Sequence, residues 1–404
     1  MTRSWTPIGS AFVFSAHDGE PVPVGQVAMH ENGYAFRYAN SWLTRSTSFA
    51  VDPLNLPLSE RLFSAPKMWG VFQDATPDNW GKKVLLATRS QQPQNEIEWL
   101  LATRGTGAGC LLFSGSRTKL PSLNQPPDFD QLEALLSAAD QVALGDTNLP
   151  PELSKLLDFG SSMGGARPKV TVVRDGVEWI AKLSRRDDIF DQPRAEFASL
   201  QLARAAGIRT ADHDLVEIRG QAVLLVKRFD RNAGGRSHYL SAFSLVNPHR
   251  MRVGDTDGPM SYLRIADVIR KVSEHSASDS AEMYARMAMN VLIGNTDDHM
   301  RNHGFLQASP TSYELSPVFD VLPHPGELGL QALVVGAEGR KATIENLLSS
   351  PERFGLDRDT AVARIQSIQE VLSRASAFFE NAGMKAAEVR SLAQICSRME
   401  GPHR

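Results

Sequence analysis

Cysteine is nearly absent. Of 404 residues only Cys110 and Cys396 are cysteines, so no disulfide framework or cysteine-rich zinc site can be built. A reducing, cytoplasmic setting of bacterial type is expected. An excess of one charge is also missing: 43 Lys plus Arg against 46 Asp plus Glu leave a net charge of −3. Bulk basic charge therefore cannot drive nucleic-acid binding, although a local patch could. No stretch approaches the ~18 apolar residues of a membrane span. The run Ala11–Ala16 is too short for the apolar region of a signal peptide. With 42% apolar and 22% charged residues, disorder and fibrous architecture are excluded. The length calls for two or three compact units.

What is present begins with β-structure. Ala11–Phe14, Val24–Met29 and Tyr34–Tyr38 read as short strands. Asp18-Gly19 and Asn32-Gly33 read as hairpin turns between them. Thr76 is expected to cap a helix with Pro77 at its first position. Glu96–Thr103 reads as another helix and Leu111–Phe113 as a returning strand. The Pro- and Asp-rich stretch Pro121–Asp128 marks a linker. A helix near Phe129–Ala139 and a loop over Gly145–Pro151 follow. Next come strands Lys169–Arg174 and Val177–Leu183 around Asp175-Gly176, a helix Arg194–Ala206, and a strand Val223–Phe229. After Gly234-Gly235 the pattern turns helical. Ala281–Ile293 is apolar on nearly every face, as in a buried central helix. From Thr360 onward Ile365, Ile368, Leu372 and Phe379 form one apolar stripe, stopped by Gly383.

Chemistry concentrates where the buried helix ends. Asp297, Asp298, His299, Arg301, Asn302 and His303 crowd into seven residues after Gly294-Asn295. Asp297 and Asn302 have the D-x-x-x-x-N spacing of a kinase catalytic loop, in which Asp accepts the attacking hydroxyl's proton and Asn holds Mg²⁺. Gly304–Gln307 and Ser312–Leu315 read as a hairpin, which would bring Asp320 towards Asn302 to share one metal. Upstream, the Gly- and Ser-rich turn Phe159–Val170 can present backbone N–H groups to an anion. Lys182 in Trp179-Ile180-Ala181-Lys182 has the shape of the kinase lysine strand. A lysine in an apolar strand needs partners, and phosphate or Glu196 on the next helix would serve. Val223–Arg231 is a possible hinge whose backbone reads adenine, or a plain strand end.

Other signals carry less. Gly105-Thr106-Gly107-Ala108-Gly109 has the look of a dinucleotide turn, but Cys110 takes the last glycine position and a strand follows rather than precedes it. His299 and His303 are spaced like a zinc pair, but Met300 replaces the glutamate such a site needs. Both cysteines read as core thiols.

Seven blocks in order resemble the HipA-type serine/threonine kinases, toxins of type II toxin–antitoxin systems. They are GSSMGGARPK, WIAKL, AEFASLQLARAAGI, LLVKRFDR, YLSAFSL, NVLIGNTDDHMRNHGFL and LSPVFDVLP, spanning roughly 160–325. Met68–Leu85 resembles the family's N-terminal domain. The resemblance implies an α+β, two-lobed protein-kinase-like fold with a fused N-terminal β-rich subdomain and an all-helical C-terminal lobe. The divisions would be 1–120, a linker with a helix at 121–150, a nucleotide-binding small lobe at 151–233 and a large lobe at 234–404. It implies ATP and Mg²⁺ as cofactors, Asp297 as base with His299 near the phosphates, and Asn302 and Asp320 as metal ligands. Ser162, Gly164, Gly165, Lys182 and Glu196 would serve the phosphates, and Lys227 and Phe229 the adenine. Ser162, with Ser161 adjacent, matches the family's autophosphorylated, self-inactivating serine. Pro168 and the paired glycines of this turn depart from the best-known members. The implied partners are a protein substrate such as an aminoacyl-tRNA synthetase, a small helix-turn-helix antitoxin, and DNA mainly through that antitoxin. No membrane partner is implied. Alternatives are a small-molecule kinase of the same fold, an inactive kinase-like co-repressor, and a metal-dependent phosphohydrolase.

Overall fold

A computed structural model describes residues 9–89, 91–120, 125–145, 149–158, 165, 167–232, 235–250, 258, 260–326 and 328–399. The chain forms two compact units. The first comprises 1–181, 228–240 and 309–311, and the second comprises 182–227, 241–308 and 312–404.

The first unit is built on a five-stranded sheet of β1 (Ser10–Ser15), β2 (Val22–His30), β3 (Gly33–Tyr38), β4 (Phe63–Ala65) and β5 (Leu111–Ser114). Its order is β4-β3-β2-β1-β5, and every pairing is antiparallel. A register shift at Val13/Phe14 bulges β1, as bulges commonly do to bend a strand. Alternation sends Val13, Val27, Phe36 and Phe113 inward. Phe36 and Phe113 meet Phe72 at ring-centroid distances of 5.3 and 6.1 Å, within the favourable range for aromatic pairs.

The expected helix near Thr76 starts later. Asp78, not Thr76, is its N-cap: the carboxylate accepts from the Gly81 N–H at 2.8 Å, and the helix runs Asn79–Thr88. The Thr76 hydroxyl instead donates to the Gln73 carbonyl at 2.7 Å, closing the turn before. Asn95 caps the helix Glu96–Ala102. Past the linker, Leu132–Ala143 and Pro151–Asp158 are helical. The hairpin of β6 (Lys169–Arg174) and β7 (Val177–Leu183) turns on Asp175 (φ 53°) and Gly176 (φ 74°), the paired positive angles that Asp-Gly supplies readily.

The glycine run Gly105–Gly109 has a structural job. Arg228 donates to the carbonyls of Thr106 (3.3 Å) and Gly107 (3.1 Å), and Arg231 to those of Gly107 (3.0 Å) and Gly109 (3.2 Å). Asp230 joins the two arginines and accepts from the Gly109 N–H at 2.8 Å. Its carboxyl lies well below the usual range: burial opposes the charge, and the two guanidiniums outweigh burial. Cys110 is fully buried, and burial pushes its thiol up to about 12, which makes it inert.

The second unit holds the end of β7 (Lys182 and Leu183), the helix Gln192–Ala205 and an antiparallel hairpin of β8 (His213–Ile218) and β9 (Gln221–Lys227). The strand expected to reach Phe229 stops at Lys227. Helices Tyr262–Val272, Ser276–Ile293, Arg358–Leu372, Ala375–Asn381 and Ala386–Ser397 follow. One hairpin, Gly304–Ser309 with Ser312–Leu315, interrupts them. The C-terminal stripe divides between two helices, since Leu372 ends one and Phe379 belongs to the next. All four of its residues are buried. Among the described residues no helix is long and apolar enough to cross a membrane.

The central helix Ser276–Ile293 ends on Gly294 in the left-handed conformation (φ 79°), the usual glycine stop. A Cβ there would come within 2.5 Å of Ile395 Cγ2. Gly220 has nearly the same angle (φ 75°) and open space around it. Gly220→Ala should cost about 1 kcal/mol of conformational strain, whereas Gly294→Ala adds a clash in the core. Thermal denaturation should show a clearly larger fall in melting temperature for Gly294→Ala. Equal falls would show that the core accommodates the methyl.

Candidate active site

The second unit brings Lys182, Glu196 and Asp320 together from three distant stretches of chain. Lys182 is the last residue but one of β7, Glu196 lies in the second turn of the helix capped by Asp191, and Asp320 follows the hairpin. The Lys182 ammonium contacts Glu196 Oε1 at 2.6 Å and Asp320 Oδ1 at 2.7 Å. Glu196 Oε1 also accepts the Asp320 backbone N–H at 3.2 Å. Glu196 is buried, whereas the Asp320 side chain is 48% exposed. Burial works against the lysine's charge, but Asp320 and Glu196 outweigh it and raise its pKa. Burial pushes the Glu196 carboxyl upward; Lys182 opposes that rise and Asp320 adds to it. A cation shared by one buried and one half-exposed carboxylate leaves Asp320 facing solvent beside a fixed positive charge.

Asp320 adopts φ 63°, a left-handed angle that costs a non-glycine residue about 1 kcal/mol or more. It is over-determined by its surroundings. Its N–H goes to Glu196 and its carbonyl accepts from Asn295 Nδ2 at 3.3 Å. Upstream, Arg286 donates to the Ser316 carbonyl at 2.8 Å and Val318 donates to the Arg209 carbonyl at 2.7 Å.

Asn295 begins the polar loop 294–303, so the same residue ties this loop to Asp320. Within the loop, neighbouring aspartates face opposite environments. Asp297 is exposed, and Asp298 is 2% exposed. One oxygen of Asp298 accepts from Asn290 Nδ2 at 2.8 Å, pairs with His303 Nε2 at 2.9 Å and accepts the Tyr262 hydroxyl. Three elements thus converge on one carboxylate. Burial would raise its pKa, but the His303 ring and the hydrogen bonds hold it below the usual carboxylate range. Burial, with the Asp298 charge beside it, lifts the Tyr262 hydroxyl well above its normal value. Asp298 therefore anchors the loop while Asp297 projects to solvent. The sequence marked the cluster without assigning Asp298 this part. Its signal lay in Asn290, a polar residue within the run Ala281–Ile293 that otherwise reads as buried helix.

Asn302 is buried at 6% exposure in a short 3-10 turn, its N–H donating to the His299 carbonyl at 2.8 Å. His299 is half-buried. Among the described residues no group of three or more His, Cys, Asp or Glu side chains is arranged to hold a metal. A hard cation held by one carboxylate, one amide and phosphate oxygens does not require such a group. Lys227 spends its N–H on the Asp212 carbonyl at 2.8 Å. In the first unit, the Phe229 ring lies 6.3 Å from that of Tyr239, tilted against it, and Gly165 packs over the Lys169 ammonium. Ser161, Ser162 and Gly164 lie outside the described residues.

Residues 161–375 match the family model for the HipA-like C-terminal domain, and residues 19–114 match the HipA N-terminal domain. Y4dM of Sinorhizobium fredii, a provisionally named kinase, is 27% identical over 273 residues, 62% of this chain; the match spans 61% of Y4dM, less than two thirds of it. Y4mE of the same organism, also a provisionally named kinase, is 24% identical over 347 residues, 80% of each chain. The serine/threonine-protein kinase toxin HipA of Shewanella oneidensis is 22% identical over 317 residues, 72% of this chain and 70% of that one. The solved Shewanella oneidensis HipA, in complex with HipB and operator DNA, has a TM-score of 0.70 at 18% identity, covering 96% of this chain and 97% of that one. The α+β kinase-like fold is thus shared.

The buried Asp298 gives a test of the loop's anchor. Asp298→Asn should cost on the order of 3 kcal/mol at neutral pH, because it removes the buried negative charge on which the Tyr262, Asn290 and His303 groups converge. A depressed folded pKa contributes stability above the unfolded pKa of ~4 and loses it as pH falls through the folded value. The gap between wild type and variant, measured by denaturant melts, should therefore narrow below pH ~4. A gap independent of pH would show that the carboxylate's charge is not what stabilises.

Proposed function

The chain belongs to the HipA family, and we propose that it is an ATP- and Mg²⁺-dependent serine/threonine protein kinase of the toxin type. The observation that carries this reading is the Lys182 ammonium held between Glu196 and Asp320 at 2.6 and 2.7 Å. A phosphoryl-transfer site needs a fixed cation for phosphate, a carboxylate that keeps it in place, and a second carboxylate open to a metal. Glu196 is the orienting carboxylate, and Asp320 with Asn302 is the metal pair.

Mg²⁺-ATP would supply the phosphoryl group and most of the charge neutralisation. The protein's own part is to position and to move one proton. Asp297 accepts the proton of a serine or threonine hydroxyl at its carboxylate and aims the oxygen. Its exposure suits a large acceptor that arrives from solvent. Asp298 holds the loop still, so that orientation is set before the acceptor binds. Lys182 orients phosphate oxygens, and His299 lies close to them. Lys227 and Phe229 meet adenine, and Gly164, Gly165 and Ser162 line the phosphate turn. Within this reading residues 1–120 are the N-terminal subdomain, 121–150 the linker, 151–233 the small lobe and 234–404 the large lobe.

Ser162, or Ser161 beside it, is the self-phosphorylated residue. A phosphate there places nearly two negative charges where those of ATP belong, which is inhibitory. The acceptor is a cytoplasmic protein such as an aminoacyl-tRNA synthetase. A small helix-turn-helix antitoxin brings DNA to a chain whose net charge is −3.

Purified protein incubated with Mg²⁺ and labelled ATP should label itself at Ser162 or Ser161. Asp297→Ala should keep its fold, since the side chain is exposed, and lose at least about 10²-fold in labelling rate. Equal labelling of both proteins would overturn the assignment of Asp297. ATP consumption with no transfer to any protein in a lysate would favour a small-molecule acceptor.

A further inference from the structure

The motif Met68–Leu85, MWGVFQDATPDNWGKKVL, has no part in the chemistry above, yet two of its residues reach the glycine turn. Lys169 is the first residue of β6 and ends that turn. Its side chain is only 5% exposed, and its ammonium lies 3.5 Å from Asp78 Oδ2. Asp78 is 16% exposed and uses its other oxygen to cap the helix Asn79–Thr88. Two residues on, the Trp80 indole donates to the Lys169 carbonyl at 2.9 Å. Lys169 is thus gripped at both ends, side chain and main chain, by one helical turn.

The grip extends to the turn itself. Gly165 sits on the Lys169 ammonium so closely that a Cβ at Gly165 would come within 2.6 Å of Nζ. Its φ of 115° also requires glycine. Burial pushes the Asp78 carboxyl upward while the Lys169 ammonium pulls it down, as expected of a pair withdrawn from water. Loss of the Asp78 charge weakens the hold on this buried ammonium, and Gly165 lies against it.

We propose that Asp78 is a positioning residue: through Lys169 it sets the place of Gly165 and hence the end of the phosphate-binding turn. The N-terminal motif thereby acts on nucleotide affinity while touching no nucleotide. This rests on the reading of that turn as the phosphate loop.

Asparagine caps a helix about as well as aspartate, so Asp78→Asn removes the charge pair and keeps the cap. Hydrogen exchange by mass spectrometry, without nucleotide, should show at least severalfold faster exchange in a peptide covering 165–172, with 79–88 unchanged. Labelling kinetics should show KM for ATP raised about tenfold with kcat within about twofold, the signature of lost ground-state binding. Asp78→Ser, which also caps, should behave alike. Unchanged exchange over 165–172, or equal loss of protection across 79–88, would overturn the proposal, as would a kcat loss with KM intact. If wild-type protein shows no dependence on ATP while Asp78→Asn still loosens 165–172, the brace stands and the kinase reading fails.

Discussion

A lysine ammonium taken out of water is the constraint around which the second unit is arranged. Lys182 stands between Ala181 and Leu183 near the end of β7, and burial of that charge is unfavourable on its own. Glu196 and Asp320 repay it, at 2.6 and 2.7 Å. Glu196, which is buried, depends on the lysine, and without it the two carboxylates would repel. The three groups are therefore mutually dependent. Together they fix the helix Gln192–Ala205, the end of β7 and the segment after the hairpin in one arrangement. The left-handed backbone of Asp320 is tolerated because both of its peptide groups are already bonded into that arrangement.

Behind it lies a second buried charge with a different purpose. Asp298 gathers Tyr262, Asn290 and His303 onto one oxygen, and it is buried. It joins the start of one helix, the end of another and the entry to the hairpin. Asn295 then links this loop to the Asp320 carbonyl. A dense polar stretch is thereby sorted by burial. Asp298, His303 and Asn295 face inward and hold, while Asp297 faces solvent.

The first unit uses buried charge in the same manner. Arg228, Asp230 and Arg231 fasten the carbonyls of the glycine run 105–109, so a stretch that looks like a nucleotide turn is a latch for its own backbone. Asp78 and Lys169 repeat the device at the other glycine turn. In each case glycines let the backbone come close, and a partly desolvated ion pair keeps it there.

Much of this was legible in the linear order of residues. Alternation located β1 to β3 and Asp175-Gly176 located the β6–β7 hairpin, because a period of two and the positive angles of Asp-Gly are local properties; the β2–β3 turn falls on Glu31-Asn32, one residue before the expected Asn32-Gly33. The apolar run to Ile293 and the polar cluster after it marked the loop, and the order of blocks marked the family. What could not be read locally was which polar residue answers which. Asp78 capped a helix assigned to Thr76, since the cap depends on which side chain reaches an N–H three residues on. The strand His213–Ile218 is not legible in the sequence, because HDLVEI lacks a clean apolar–polar alternation. Lys182, Glu196 and Asp320 are separated by 14 and 124 residues. Asp298 and Tyr262 are separated by 36. Residue type and spacing determined the elements and the candidate chemistry. Only the tertiary structure decided which charges are buried and paired, because desolvation is set by packing from every side and not by sequence neighbours.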